Sequence, residues 1–101
     1  MIGKLEELTL LACLRAGDAA VPSAIYERLS EALSGKAPGF GAVYTTLDRM
    51  AAKGLLNEGK ATDAQKRSRR TFTISGAGQA ALAESLTPTR ALGGFSVLGV
   101  A

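Results

Sequence analysis

The sequence has 101 residues, the length of one small domain, with many aliphatic side chains, 5% aromatic residues and no Trp. It contains no His and a single Cys, which excludes a disulfide within one chain, disfavours a Cys/His zinc site and argues against hydrolases that use His as the general base. The net charge of +3 is informative mainly through its distribution along the chain.

The first predicted helix covers residues 3–16 and is apolar nearly all round. One side carries Leu5, Leu8 and Leu11, while other leucines of the helix point elsewhere. A helix with this pattern is buried on more than one side, and in so small a domain we expect the second covering surface to be another subunit. Cys13 lies in this helix and is interpreted as a small buried hydrophobe, with a redox sensor as the alternative.

The N-terminal residues include two early acids, Glu6 and Glu7, and no cleavage signature, which argues against a signal peptide. No apolar run approaches the roughly 18 residues that a membrane span needs. We therefore expect a cytoplasmic protein with no membrane partner.

Two further helices are predicted over residues 22–34 and 39–53, separated by a break rich in turn formers. A tight turn between two such helices is typical of a helix-turn-helix. The predicted core side of the third helix consists of Phe40, Val43, Leu47, Met50 and Ala51. Its predicted solvent side consists of Ala42, Thr45, Thr46, Arg49 and Lys53.

A β-hairpin is predicted next, with strands near residues 55–58 and 70–74. The segment 60–70 carries five positive charges and one negative, so it contributes +4 and the rest of the chain −1 to the net +3. Taken alone, this basic segment is either the electrostatic footprint of a polyanion or a solvated loop. At the tip of a hairpin that follows a helix-turn-helix, Arg67, Arg69 and Arg70 have the layout of a DNA-binding wing.

Ser75 is a favourable N-cap for a fourth helix over residues 76–86, and Pro88 is expected to break it. The predicted apolar stripe of this helix is Ala77, Ala81, Leu82 and Leu86. The predicted fold is mainly α with a small β-hairpin (α+β), a winged helix-turn-helix over residues 1–87. The apolar tail, residues 88–101, is either a dimerisation element or partly disordered.

The third helix and the basic hairpin are the predicted functional elements, because an α-helix fits the major groove of B-DNA and basic side chains hold phosphates. The start of the third helix is poor in long polar side chains, so we expect phosphate contacts and DNA shape to carry much of the binding. A plain amphipathic core helix is the alternative interpretation. The candidate DNA-binding residues are Ala42, Tyr44, Thr45, Thr46, Arg49, Lys66, Arg67, Arg69 and Arg70.

Residues 41–50 (GAVYTTLDRM), followed by Lys53-Gly54-Leu55, closely resemble the helix-three signature of the PadR family of bacterial regulators. Residues 5–8 (LEEL), 69–72 (RRTF) and 73–78 (TISGAG) match the family pattern in order, so the resemblance covers about residues 3–86. It implies a homodimeric repressor that binds promoter DNA. The resemblance also implies that Tyr44 and the polar and basic residues of helix three and the wing contact the DNA backbone. It also implies that a small aromatic effector, bound near the dimer interface, releases the DNA.

The sequence departs from the family at the C-terminal helix, which usually mediates dimerisation but here meets Pro88, Gly93 and Gly94. The missing Trp removes one way to build a flat aromatic pocket. Dimerisation is therefore expected to use the first helix and the apolar tail. The candidate dimerisation residues are Leu10, Leu14, Leu82, Leu86 and Phe95.

Two functions stand side by side at this point: a DNA-binding transcriptional regulator, whose partners are double-stranded DNA and a second copy of the chain, and a winged-helix module that binds another protein. An enzyme is not expected, because no catalytic pair is visible, and neither a cofactor nor a metal is predicted.

Overall fold

The computed structural model describes residues 1–94. In chain order, the elements are α1 (Lys4–Ala16), α2 (Pro22–Ala32), α3 (Phe40–Ala52), β1 (Leu56–Thr62), β2 (Ser68–Ile74) and α4 (Gly76–Ala91). This order confirms the predicted winged helix-turn-helix, with α2 and α3 as its two helices. No helix within residues 1–94 is long and apolar enough to cross a membrane, and Phe95 with the rest of the apolar tail lies outside the described residues.

Proline and glycine set the limits of the first two helices. α2 begins at Pro22, because the fixed φ of proline suits the first helical position, where an N–H is not needed. α1 ends before Gly17, and the turn that follows α2 contains Gly35; both have a positive φ, +94° and +79°, which a side chain would oppose.

One apolar core joins the helices to the hairpin, and Phe72 of β2 is its largest fully buried side chain. Leu10 and Leu82 also lie inside this core, so they are not available to a second subunit and do not fit the predicted dimerisation surface. Burial raises the pKa of the Cys13 thiol to about 12, which keeps it protonated at neutral pH, as a small buried hydrophobe should be. The core residues are Leu10, Ala12, Cys13, Ala20, Ile25, Leu29, Val43, Leu47, Met50, Leu56, Phe72 and Leu82.

The hairpin is longer than predicted. β1 and β2 pair antiparallel in continuous register from Leu56 opposite Ile74 to Thr62 opposite Ser68. Only residues 63–67 form the turn, and Arg70 faces Lys60 within the ladder, so its predicted position at the tip is wrong. The outer part of β1 is exposed throughout, so its residues show none of the alternation by which a strand is recognised in a sequence.

The base of the hairpin is tied to the loop before α2. Ala20 and Phe72 exchange two backbone hydrogen bonds of 3.1 and 2.8 Å, which adds a short antiparallel bridge on the outer side of β2. The Ala19 N–H also donates to Thr73 Oγ1 at 2.9 Å. The wing is therefore anchored to the helix-turn-helix through backbone as well as through the core.

The fourth helix extends past its predicted end. α4 contains Pro88 in its interior, so the prediction that this residue breaks the helix is wrong. Proline removes only its own N–H and crowds the preceding turn, and the last turn continues because the Leu92 N–H donates to the Pro88 carbonyl at 3.0 Å. Ala77 of the predicted stripe is exposed. The inner side of α4 is formed by Gly78, Ala81, Leu82, Ser85 and Leu86.

Candidate nucleic-acid interface

The outer face of α3 carries Ala42, Thr45 and Arg49, all exposed, as the helical spacing predicts. Thr46 is different: it is only 4% exposed, and its hydroxyl donates to the Ala42 carbonyl at 2.9 Å. It follows Val43 by three residues, which places it on the inner stripe of the helix. The predicted solvent-facing position of Thr46 is therefore wrong, and its side chain cannot meet DNA.

Phe40, the first residue of α3, is 43% exposed, although the helical spacing predicts it in the core. Phe40 lies on the same side of α3 as the buried residues Val43 and Leu47, but the start of the helix extends beyond the core. Its ring packs edge-on against Tyr26 with centroids 5.3 Å apart and lies 5.9 Å from the ring of Tyr44. Three aromatic rings thus form a cluster at the beginning of α3.

Arg70 connects the wing to α3. Its Nη1 donates to the Tyr44 hydroxyl at 3.0 Å, and its Nη2 donates to Asp48 Oδ1 at 2.5 Å. A fork of two bonds, 2.9 Å from Nε and 2.7 Å from Nη2, joins it to the two oxygens of Glu58. The guanidinium also lies 5.1 Å from the ring centres of Tyr44 and Phe72, so it is held from several directions.

These bonds change the charge that Arg70 presents to a ligand. The hydrogen bonds from Arg70 lower the pKa of Glu58 below the ordinary value, so Glu58 stays ionised. Glu58 first, and then Asp48 and Tyr44, raise the pKa of Arg70. Two acids therefore accompany this one cation, and Arg70 contributes less free positive charge than the sequence suggests.

The tip of the wing is organised by Asp63. Its carboxylate accepts from the N–H groups of Gln65 and Arg67 at 2.9 and 2.8 Å, and from the Nε atoms of Arg67 and Arg69 at 3.0 and 3.1 Å. The Arg67 backbone N–H, together with the two arginine side chains, lowers the pKa of Asp63. One acid thus shapes the turn and holds two of the predicted DNA-binding arginines.

Other cations of the surface are not neutralised in this way. Within residues 1–94, Arg49, Lys60 and Lys66 make no ion pair. Lys66 occupies the turn with a φ of +61°, a left-handed conformation that glycine adopts more readily. The wing therefore keeps an excess of positive charge that points away from the fold.

A crevice of about 200 Å³ lies where α2, α3 and the wing meet. It brings together Tyr44, predicted on the third helix, and Arg69 and Arg70, predicted on the hairpin. It also contains Ser23 and Ser68, which the sequence does not indicate because an isolated serine carries no distinguishing pattern. The crevice is lined by Val21, Pro22, Ser23, Phe40, Tyr44, Ser68, Arg69 and Arg70.

A second surface lies between the end of α1 and α4. Leu14 is 45% exposed, and it lines a groove of about 290 Å³ with the half-buried Leu86. Glu7 of α1 is joined to α4, since it accepts from the Ser85 hydroxyl at 2.6 Å; it also accepts from Lys4 Nζ of its own helix at 3.0 Å. Of the predicted dimerisation residues within the described part of the chain, Leu14 and Leu86 are thus the two at the surface.

The comparisons with known proteins decide the family. A family model described as the transcriptional regulator PadR-like family matches residues 10–84. The chain belongs to the PadR-like family of transcriptional regulators. This membership confirms the resemblance read from the helix-three signature, and it confirms that the protein is a regulator and not an enzyme.

Solved structures share the fold of this PadR-like chain. A PadR family transcription regulator from hypervirulent Clostridium difficile is 17% identical, with a TM-score of 0.74 over 89% of this chain and 91% of that one. A PadR-like transcription factor from Bacteroides fragilis is 23% identical, with a TM-score of 0.67 over 93% of this chain and 88% of that one. A search of curated protein sequences gave no match.

Proposed function

We propose that this PadR-like regulator binds double-stranded promoter DNA in the cytoplasm as a homodimer and represses transcription. The observation that carries the proposal is the bonding of Arg70, because it fixes the basic wing beside the exposed face of α3. Thr45 and Arg49 on α3 and the cations of the wing then form one surface on which a duplex can lie.

The charges of this surface support a role in phosphate binding. Arg49, Lys60 and Lys66 are free of internal partners within residues 1–94, and Arg67 and Arg69 share a single acid. Each phosphate that these side chains neutralise would release counterions from the DNA. Tyr44 completes the set, since it lines the same crevice as Arg69 and Arg70.

A binding titration against salt concentration tests the proposal. The probe is a duplex selected from a random library, with DNA upstream of the gene as a second probe. Three variants, Lys66→Ala, Arg67→Ala and Arg69→Ala, should each weaken binding. Each should also make the negative slope of log K against log salt shallower, by about 0.9 per lost phosphate contact, or about 1.8 in a dimer.

Arg28→Ala is the matched control, because it removes the same charge from an exposed position in the groove between α1 and α2, and it should leave the slope unchanged. Wing variants that bind like the unmodified protein would contradict the proposed surface. If no duplex is bound better than random DNA, the winged-helix protein-interaction module becomes the favoured function.

An aromatic effector is part of the proposal through the family resemblance. The groove between α1 and α2, about 630 Å³, is its candidate site, since leucines form its walls and Arg15 and Arg28 stand at its edge. This site lies on the other side of α1 from the α1–α4 groove, and so differs from the position near the dimer interface that the resemblance implies. Addition of aromatic carboxylates to the DNA complex, with dissociation as the readout, tests this part separately.

A further inference from the structure

The beginning of α3 is unusually bare. Gly39, Phe40, Gly41 and Ala42 are all exposed, so the only large side chain in this stretch is an aromatic ring that is 43% exposed to solvent. We refer to residues 39–42 as the α3 tip. Phe72, the other phenylalanine within residues 1–94, is fully buried, so Phe40 is the one that keeps a large part of its ring in contact with solvent.

The fold itself does not require Gly41. Its φ is not positive, and a Cβ added to it would meet no atom within 4 Å. Gly39 is the N-cap of α3, a position that glycine suits better than alanine, but Gly41 lies inside the helix, where glycine lowers stability relative to alanine. A partner that must approach the backbone closely is a physical reason for glycine at position 41.

The ring of Phe40 is held in place rather than free. Tyr26 contacts it edge-on at a centroid distance of 5.3 Å, and Tyr44 lies at 5.9 Å. The ring therefore loses little freedom when it binds. A hydrocarbon ring cannot exchange hydrogen bonds with a base edge, but it can pack on the 5-methyl group of thymine, which projects into the major groove.

We propose that the α3 tip enters the major groove and that Phe40 recognises a thymine methyl group in each half-site. This rests on the proposed DNA-binding function and adds the base feature that is read. The bare backbone at Gly41 lets the ring come close enough for contact. Phe40 thus supplies apolar sequence readout on a helix that has few polar side chains at its start.

The direct test removes the methyl group from the DNA. Binding sites are selected from random duplexes with the unmodified protein, and each thymine of the selected site is then replaced in turn by deoxyuridine. Replacement at one position per half-site should weaken binding about fourfold, the effect of one buried methyl-sized group. Phe40→Ala should bind the thymine and deoxyuridine duplexes equally.

The outcomes separate this proposal from the function on which it rests. Selected sites with no deoxyuridine effect, or an effect that persists undiminished in Phe40→Ala, would overturn the role of Phe40 while leaving DNA binding intact. Failure to select any site would overturn sequence-specific DNA binding and this proposal with it.

A pair of glycine variants tests the close approach. Gly41→Ala should leave the melting temperature unchanged or raise it, yet weaken binding to the selected site at least tenfold, because the added methyl group stands between backbone and DNA. Gly76→Ala is the control: it lies in the first turn of α4, and its Cβ would also meet no atom. It should keep the affinity of the unmodified protein. Equal affinities for the two variants would show that the α3 tip does not enter the groove.

Discussion

Arg70 joins the wing to α3 at the candidate interface. Its guanidinium bonds to Glu58 on the neighbouring strand and to Tyr44 and Asp48 on α3, in addition to the backbone and core contacts that anchor the base of the hairpin. Lysine carries the same charge but cannot reproduce a planar fork of several donors. The charge and the geometry of this side chain can therefore be separated by substitution.

We expect Arg70→Lys to lower DNA affinity nearly as much as Arg70→Ala does, and each to destabilise the fold by roughly 1 kcal/mol, since the site is partly exposed to solvent. Affinity is measured by fluorescence anisotropy and stability by urea unfolding. Full affinity in Arg70→Lys would show that Arg70 acts as a simple phosphate contact and not by positioning the wing.

The acids of the fold determine its response to pH. Hydrogen bonds from the Ser85 hydroxyl and then from Lys4 lower the pKa of Glu7 below its ordinary 4.5, and a bond from Lys53 lowers the pKa of Glu6. A carboxyl whose pKa is lower in the folded state stabilises the fold above its unfolded pKa, and this contribution is lost as the pH falls through the folded pKa.

The free energy of unfolding should therefore be nearly constant between about pH 5 and 8, because the chain contains no His, and should decrease below about pH 4.5. Urea unfolding at a series of pH values measures this. Glu7→Gln should show a shallower decrease in acid than the unmodified protein. A marked change in stability between pH 6 and 7 would contradict the assignment.

At the scale of elements, substitutions in the wing turn can change the stability of the fold and the affinity for DNA independently. Lys66 holds a left-handed conformation, and its cation belongs to the proposed DNA-binding surface. Lys66→Gly should relieve the backbone and stabilise the fold by up to about 1 kcal/mol, whereas Lys66→Ala should not. Both remove the same charge, so both should weaken DNA binding to the same extent. Unequal affinities would mean that the shape of the turn, and not its charge, governs binding.

The elements were largely predictable from the sequence because helix periodicity, Pro22 and Ser75 mark their limits. The errors have local physical causes. Thr46 has a polar side chain on an inner stripe, where its hydroxyl bonds to the preceding turn. The outer part of the hairpin carries exposed polar and charged side chains, and Pro88 lies near the end of α4, where the last turn still forms. Periodicity does not report any of these circumstances.

The site was predictable only as a set of residue types. Basic residues after a helix-turn-helix indicated a wing, and the family signature indicated Tyr44. The pairing of Arg70 with Asp48 and Glu58 depends on contacts between residues more than ten positions apart, and a sequence pattern holds no record of them. The role of Asp63 as a shared partner of two arginines depends in the same way on the turn that it forms.

At the scale of the whole molecule, the proposed dimer places the α1–α4 groove at the subunit interface. Leu14 is an exposed leucine at the edge of this groove, and its neighbour Leu86 is half-buried. Burial of such a pair against the same pair of another copy would stabilise an interface with twofold symmetry. Two DNA-binding surfaces would then be linked in one particle.

Leu14→Glu should convert the dimer to a monomer, measured by light scattering at micromolar concentration, without unfolding the chain, because the position is already 45% exposed. DNA affinity should fall at least about 100-fold, since the second half-site would no longer be bound at a high effective concentration. Ala32→Glu places the same charge at an exposed position in the α1–α2 groove and should remain dimeric with unchanged affinity. If the Ala32→Glu variant is a monomer and the Leu14→Glu variant is a dimer, the interface lies on the opposite side of α1. If the unmodified chain is a monomer that binds its selected site tightly, one copy of α3 and the wing is sufficient for recognition.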